Sequence, residues 1–311
     1  MTERENETLW AIVPALDLVL MTLQTCEDLL AQTVPVRVLL IDQGSSEASN
    51  LAFREFADHH HPRVVLWSFN PPLPSLAAAW NRGLDFCWRL GHEEALVVNS
   101  DVRLHPETAR DLHTVRTQQG ALFVSGIGVT AEQFDNYTGG GNSGDHGGPD
   151  FSCFLTTRVG HLKYPFDEGF IPCYGEDCDL HRRYLLSGDG AKIFSVNLPF
   201  HHIGGGSRTI NQSEAAARAF QAQAEIGRQH YRAKWAGPPN QERFIAPYGP
   251  LGVDHVTNPE LQARVRTGLP ALEPAPPTPF GDRLLDDPAT IRALDDAFHK
   301  KAQELRFHDG S

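Results

Sequence analysis

No stretch of this 311-residue chain stays apolar for the roughly 18 residues that a membrane-spanning helix requires. Its first residues, MTERENETLWAIVP, carry charge of both signs and lack the basic region and apolar core of a signal peptide. A soluble, cytoplasmic protein is therefore expected. Cysteine is scarce: Cys26, Cys87, Cys153, Cys173 and Cys178 are odd in number and lack the paired C-x-x-C spacing of a structural zinc site. Free thiols in a reducing compartment are the simpler reading. Basic charge is outnumbered, 27 Lys and Arg against 39 Asp and Glu, and the net −12 disfavours broad attraction to nucleic acid or anionic lipid. The Gly-x-Gly-x-x-Gly fingerprint of a dinucleotide site is missing, which counts against nicotinamide or flavin chemistry. AIVPALD, at the first strand, supplies no Gly-rich, Lys-bearing phosphate loop, which counts against nucleotidyl transfer.

What the chain does have is alternation, over a length that can bury a substantial core in one large or two modest domains. Trp10–Val13 is a short apolar run ended by Pro14, and Asp17 is placed to begin the helix that follows. Val36–Ile41 is continuous and β-branched, as in a parallel strand covered on both faces, and stops at the turn cluster from Asp42 to Ser46. The pattern then predicts helix over Glu47–Asp58, strand over Val64–Trp67, helix over Leu76–Leu90 and strand over Ala95–Val98. Helix over Pro106–Gln119 and strand over Ala121–Ile127 complete the series. Repeated strand–helix units with short connections imply a parallel, doubly wound sheet, where ligands bind beyond the carboxyl ends of the strands.

Residues 128–149 are Gly-rich with little to bury, and read as a functional or disordered loop. Strands are expected at Phe151–Thr156 and Ala191–Val196. Asn211 with Glu214 three positions on marks a helix start, and Phe220, Ala224, Tyr231 and Trp235 share one face of that helix until Gly237-Pro238-Pro239. Leu269–Phe280 holds five prolines and reads as a linker. Asp287-Pro288 opens a last helix with Ile291, Leu294, Phe298 and Leu305 on its apolar face.

The strand-end rule selects the segments at 14–17, 42–46, 70–72 and 99–101. Asp42 can accept hydrogen bonds from a ribose or a base, or can simply cap the turn. Asp101, in Asn99-Ser100-Asp101, can hold a hard divalent cation that bridges two phosphates, or can again be a cap. Further on, IPCYGEDCDLHRR places Glu176, Asp177 and Asp179 at a helix start, where Glu176 and Asp179 gain from the macrodipole and the exposed N–H groups.

Taken in order, Pro14, IDQGSS, SLAAAWNRGLDF, VVNSDVRL, FDEGFIPCYGEDCDLHRR and HHIGGGS resemble the inverting family 2 glycosyltransferases of GT-A fold. The likeness is strongest to the rhamnosyltransferase-like branch and spans about residues 10 to 207. It implies a GT-A (Rossmann-like) doubly wound mixed sheet with a mostly helical C-terminal extension. By that resemblance Asp42 binds the donor's base or ribose, and Pro14, Asn81, Asn99, Ser100 and Asp101 line the donor pocket. Asp101 matches the second acid of a DxD motif and ligates Mn²⁺ or Mg²⁺; Asn99 stands where the first acid would be. His201 matches the histidine that completes the metal site, with His202 an adjacent competitor. Asp177 matches the family's general base. Glu176 either orients the acceptor or caps the helix, while Asp179 serves the helix and pairs with Arg182 or Arg183. Phe134, Asp135 and Tyr137, in the Gly-rich segment, fall on the acceptor side.

The expected partners are a UDP- or dTDP-linked sugar and a hydroxyl acceptor: a surface glycan, a protein or a hydroxylated DNA base. The domain expectation is a catalytic part over 1–207, a helical extension over 208–268, and a Pro-rich linker with terminal helix over 269–311. The C-terminal helices are candidates for packing on the catalytic part or for self-association. A competing class, favoured by Asn99, is a sugar-nucleotide-binding or scaffold protein without catalysis.

Overall fold

The computed structural model describes residues 8–139, 149–203 and 214–249, with backbone only for 214–221 and 223. The Pro-rich segment 269–280, the expected last helix and most of HHIGGGS lie outside the described residues. The chain divides into two compact units. One comprises Met1–Leu73, Ala79–Pro165 and Lys192–Ser207; the other comprises Pro74–Ala78, Phe166–Ala191 and Arg208–Ser311.

The first unit holds one eight-stranded mixed sheet. Its strands are β1 (Leu9–Ala15), β2 (Val36–Asp42), β3 (Val64–Ser68), β4 (Glu94–Val98), β5 (Val102–Arg103), β6 (Phe123–Gly128), β7 (Cys153–Thr157) and β8 (Ile193–His202), in the order β3-β2-β1-β4-β7-β6-β8-β5. β1, β2, β3 and β4 run parallel, as the continuous apolar runs imply, and every residue of β1 is buried. β7 runs antiparallel to both β4 and β6, and makes the sheet mixed. Helices α1 (Val19–Leu30), α2 (Glu47–His59), α3 (Leu76–Arg89) and α4 (Thr108–Gln119) follow β1, β2, β3 and β5. Gly120, in the left-handed conformation, closes α4, as a helix C-terminus favours.

Several local expectations change. Pro14 does not end the first strand, which continues to Ala15. The ladder between β1 and β4 covers Ala11 and Ile12 only, so the missing N–H of Pro14 removes no rung there. Asp17 does not cap α1: Asp17 and Leu18 both have positive φ (53° and 51°), and Leu18 occupies the cap position. That turn instead carries the Asp17 carboxylate to the Ser46 N–H at 2.9 Å, while the Asp17 N–H meets Ser45 Oγ at 2.7 Å. The loops after β1 and β2 are thereby tied together.

The last strand runs six residues beyond its expected end, through Pro199 to His202, so both histidines lie in β8. A bulge between Ser125 and Ile127 accommodates this. A Cβ on Gly126 would sit 2.6 Å from the Leu198 carbonyl, so the close approach requires glycine there. The segment 128–149 is also not wholly loop: α5 (Ala131–Asp135) starts with a full capping box between Thr130 and Gln133.

The described residues of the second unit are mostly helical. α7 (Glu176–Leu186) and α8 (Glu214–Trp235) meet through a buried charge cluster; α6 (Arg158–Lys163) belongs to the first unit. Asp179, 0% exposed, accepts Trp235 Nε1 (2.9 Å) and Lys234 Nζ (2.8 Å) on one oxygen and Arg183 Nε (2.8 Å) on the other. Lys234 also reaches Asp167 at 2.5 Å. Breaking such a buried pair from one side alone typically costs about 3–5 kcal/mol. Asp179 thus does serve the helix, yet chiefly as the anchor on which α8 docks. α8 passes so close to the 173–174 backbone that a Cβ on Gly227 would lie 2.1 Å from the Tyr174 carbonyl oxygen.

Candidate active site

In the first unit the carboxyl ends of the strands carry two acidic clusters. Asp42, 2% exposed, ends β2. One of its oxygens accepts the Ser45 N–H (2.9 Å) and the other Asn50 Nδ2 (2.5 Å), which also reaches Ser68 Oγ at the end of β3 (2.8 Å). The carboxylate therefore closes its own turn and is aimed by a side chain from α2. A carboxylate has about four lone-pair sites, so capacity remains for a ligand's N–H or hydroxyl.

The second cluster follows β4. The Asn99 N–H bonds the Ser152 carbonyl (2.9 Å), and Thr25 of α1 brackets Val102, accepting its N–H (3.2 Å) and donating to its carbonyl (2.8 Å). Asp28 of α1 accepts Arg103 Nε at 2.7 Å and the Leu104 N–H at 3.0 Å. Asp101 is held between these anchors, and its carbonyl takes the Ile203 N–H at 3.0 Å. His202 Nε2 lies 3.2 Å from Asp101 Oδ1, and His202 Nδ1 lies 3.0 Å from Ser152 Oγ. Burial works against charging His202, but the hydrogen bond and charge of Asp101, with the charge of Asp150, raise its pKa.

His201 points elsewhere: its Nδ1 donates to the Val129 carbonyl at 3.0 Å, which leaves Nε2 as the ring's lone-pair nitrogen. The imidazole beside Asp101 is thus that of His202, the competitor rather than the expected His201. Among the described residues no three His, Cys, Asp or Glu side chains converge as a metal cage. A cation that takes most of its oxygens from a diphosphate needs only one or two carboxylates from the protein. The donor set at Asp101 fits that role. Asn99 Oδ1 is a further fit: two residues before Asp101, it is a buried acceptor without a hydrogen-bond partner among the described residues.

The other candidates are dispersed. Pro14 is buried in β1 opposite Ile41, and Ser100 is half-buried in the turn after β4. Asn81 is buried on α3, with Oδ1 3.0 Å from His161 Nε2. Phe134 is buried and stacked on His105 (centroids 3.9 Å), which Tyr137 also flanks at 5.0 Å, while Asp135 is exposed. Ring packing against His105 is what α5 contributes in this structure.

In the second unit, the three acids at the start of α7 separate sharply. The helix follows Tyr174 and Gly175, both at positive φ (81° and 106°), so the chain turns abruptly into it. Asp177 is half-buried, and one of its oxygens accepts the Cys178 N–H at 2.7 Å. Glu176 is only 5% exposed, and its Oε2 has no partner among the described residues. Burial, then the neighbouring Asp177 charge, pushes the Glu176 carboxyl up to about 8.

This carries a consequence for stability. Folded Glu176 keeps its proton until about pH 8, whereas the unfolded group ionises near its ordinary 4.5. Across that window the folded state binds more protons, so stability should fall as pH rises, by up to a few kcal/mol. Glu176→Gln should flatten this slope. Urea unfolding midpoints compared near pH 5 and near pH 8 measure it, and equal slopes in variant and parent would refute the buried, protonated Glu176.

Asn50, Ser68, Ser152 and His161 were not legible as site residues. Each acts through a partner 8 to 80 positions away, and a lone polar residue does not announce that partner.

The sheet order and the parallel β1–β4 half with an antiparallel strand beyond it define a GT-A-type fold. A mannosyltransferase, PcManGT from Pyrobaculum calidifontis in complex with GDP-Man and Mn²⁺, is similar over 95% of this chain and 86% of its own, at 14% identity and a TM-score of 0.52. Residues 1–349 of TarS from S. aureus match over 94% of this chain and 92% of theirs, at 11% identity and a TM-score of 0.48. Glucosyl-3-phosphoglycerate synthase from Mycobacterium tuberculosis, in complex with Mn²⁺, UDP-Glc and phosphoglyceric acid, matches over 71% of this chain and 79% of its own, at 16% identity and a TM-score of 0.48. No family model matches the chain, and no curated protein matches it by sequence. Among the described residues no helix is long and apolar enough to cross a membrane.

Proposed function

We propose that this protein is a soluble, cytoplasmic glycosyltransferase that moves a sugar from a nucleoside-diphosphate sugar to an acceptor hydroxyl with inversion, using Mn²⁺ or Mg²⁺. The observation that carries the reading is the pairing of buried Asp101 with His202, two residues from an Asn99 oxygen that has no hydrogen-bond partner among the described residues, at a strand end of a GT-A-type fold. The GDP-Man and Mn²⁺ of the similar mannosyltransferase support the same donor class. Placement in family 2 and its rhamnosyltransferase-like branch rests on the order of the motifs, as do a UDP- or dTDP-linked donor and the catalytic part over 1–207.

In this reading Asp42 receives the nucleoside, Asn81, Asn99 and Ser100 border the donor, and Asp101 with one imidazole of the His201–His202 pair holds the cation. The bound cation would offset charge that builds on the departing diphosphate. Asp177 takes the acceptor's proton while the acceptor oxygen bonds to the anomeric carbon and the bond from that carbon to the diphosphate breaks. Glu176, protonated at neutral pH, presents a hydrogen-bond donor rather than a base.

The test is a thermal-shift panel of UDP-, dTDP- and GDP-sugars with and without Mn²⁺. One donor should raise the melting temperature only with the cation, since a ligand at about 100 times its Kd stabilises by roughly 2.7 kcal/mol. No shift with any nucleotide sugar would overturn the proposal. Asn99 favours a second reading, donor binding without transfer. It predicts the shift without slow release of sugar to water, which chromatography of the same mixtures would detect.

A further inference from the structure

The sheet ends on one side in an unguarded strand. β3, VVLWS, is outermost, and no strand pairs with its open side among the described residues. The opposite edge, β5, has only two residues and carries Arg103. Exposed edges are normally blunted by charge, by proline or by a bulge. β3 has none of these within its five residues; Pro62 and Pro71 lie outside it on either side.

The ladder fixes where its free groups point. The Arg63 carbonyl accepts the Val38 N–H at 2.8 Å, and the Phe69 N–H bonds the Asp42 carbonyl at 2.9 Å. Odd-numbered residues therefore turn their backbone groups toward β2. Directions alternate along a strand, so Val64, Leu66 and Ser68 turn N–H and C=O to the open side.

Beside this edge lies an open groove of about 510 Å³, lined by Arg54, Asp58, His61, Val64, Leu66 and Ser68 among others. α2 lies over β2 and β3 rather than beyond them, because Asn50 reaches both Asp42 (2.5 Å) and Ser68 (2.8 Å). Arg54 and Asp58 are exposed on α2, four positions apart, and neither has an ion pair among the described residues. Arginine before aspartate is also the less favourable order for such a pair within one helix.

We propose that a second copy of this chain fills the groove, its β3 pairing antiparallel with this β3 about a two-fold axis at Leu66. Leu66 then pairs with its own counterpart, and Val64 with Ser68 of the second copy, each pair exchanging two backbone hydrogen bonds. Strands about 4.8 Å apart set the two α2 helices, each over its own β2 and β3, about 10 Å apart, an ordinary packing distance. The same axis sets Arg54 against Asp58 of the second copy, and Asp58 against its Arg54. The surface is self-complementary in charge, as a two-fold interface requires. Antiparallel pairing consumes both open edges, so assembly stops at the dimer. The inference does not rest on the donor or the cation, and it places self-association on the sheet rather than on the C-terminal helices.

The test is sedimentation of the full chain over a dilution series. The parent should dimerise reversibly. R54E and D58R each set like charges across the axis and should weaken the dimer at least about 10-fold. The double variant R54E/D58R restores both opposite-charge pairs and should return the Kd to within about 3-fold of the parent. Mixing the two single variants should give a heterodimer, since one copy then carries only acids at 54 and 58 and the other only guanidinium groups. Amide exchange supplies the second reading: the Leu66 and Ser68 N–H groups should become protected as concentration rises, while those of Val65 and Trp67 are protected throughout. A parent that stays monomeric up to about 100 μM would overturn the inference. So would a dimer indifferent to R54E and D58R, or protection of Leu66 and Ser68 in a monomer, which would assign the edge to another segment of the same chain.

Discussion

Asp101→Asn should abolish the Mn²⁺-dependent part of donor stabilisation and lower transfer at least about 100-fold, the equivalent of roughly 2.7 kcal/mol. The substitution is nearly isosteric. The backbone anchors of the segment, from Asn99 to Ser152 and from Ile203 to Asp101, do not involve the carboxylate. Melting temperature without ligand should therefore change little, and the loss should fall on the metal-dependent signal. The variant would still leave His202 against an amide oxygen, so a neutral side chain of the same shape separates charge from packing. Measuring the thermal shift across a Mn²⁺ titration in parent and variant decides the point. Unchanged Mn²⁺ dependence in Asp101→Asn would remove Asp101 from the cation site. The same titration applied to alanine variants of His201 and His202 identifies the imidazole, because only one of them should shift the Mn²⁺ midpoint.

The inner strands of the parallel half were legible because β1, β2 and β4 are buried almost throughout and so read as largely apolar runs, while β3 at the sheet edge is only partly covered. Val36–Ile41 and Ala95–Val98 are found within a residue or two of their predicted bounds. The errors fall where tertiary contacts override local chemistry. Pro14 stays in its strand because the neighbour on one side has already ended. β8 continues through Pro199 because Gly126 allows a bulge that no local pattern announces. β5 has only two residues and exists because Thr25 and Asp28 of α1 hold it.

The acidic cluster at 176–179 shows the same limit at the level of chemistry. Its composition predicted a helix start, which α7 is. The sequence could not apportion the three acids, since that depends on what covers each one. Asp179 meets the Trp235 indole, Lys234 and Arg183, all but one from a helix more than fifty positions on. Glu176 is enclosed, with one oxygen unsatisfied among the described residues. Asp177 alone keeps partial contact with solvent.

That difference in cover shapes the second large expectation, that Asp177→Asn lowers transfer by about 10²–10⁴-fold, the usual contribution of a general base. An asparagine oxygen can still accept the Cys178 N–H that Asp177 now holds at 2.7 Å, so the first turn of α7 should persist. Donor affinity should stay within about 2-fold, since a base that acts on the acceptor contributes in the transition state rather than to donor binding. Glu176 is not a ready substitute. Burial holds its carboxyl near pH 8, so at neutral pH it carries the proton that a base would need to accept. Raising the pH should therefore recover part of the lost rate in Asp177→Asn only as Glu176 ionises, and Glu176→Gln in the same background should erase that recovery. A rate profile of both variants against pH, with the donor held saturating, makes the distinction. Full activity in Asp177→Asn would sink the base assignment. A Glu176→Gln single variant that loses as much as Asp177→Asn is expected to lose would transfer the role to Glu176.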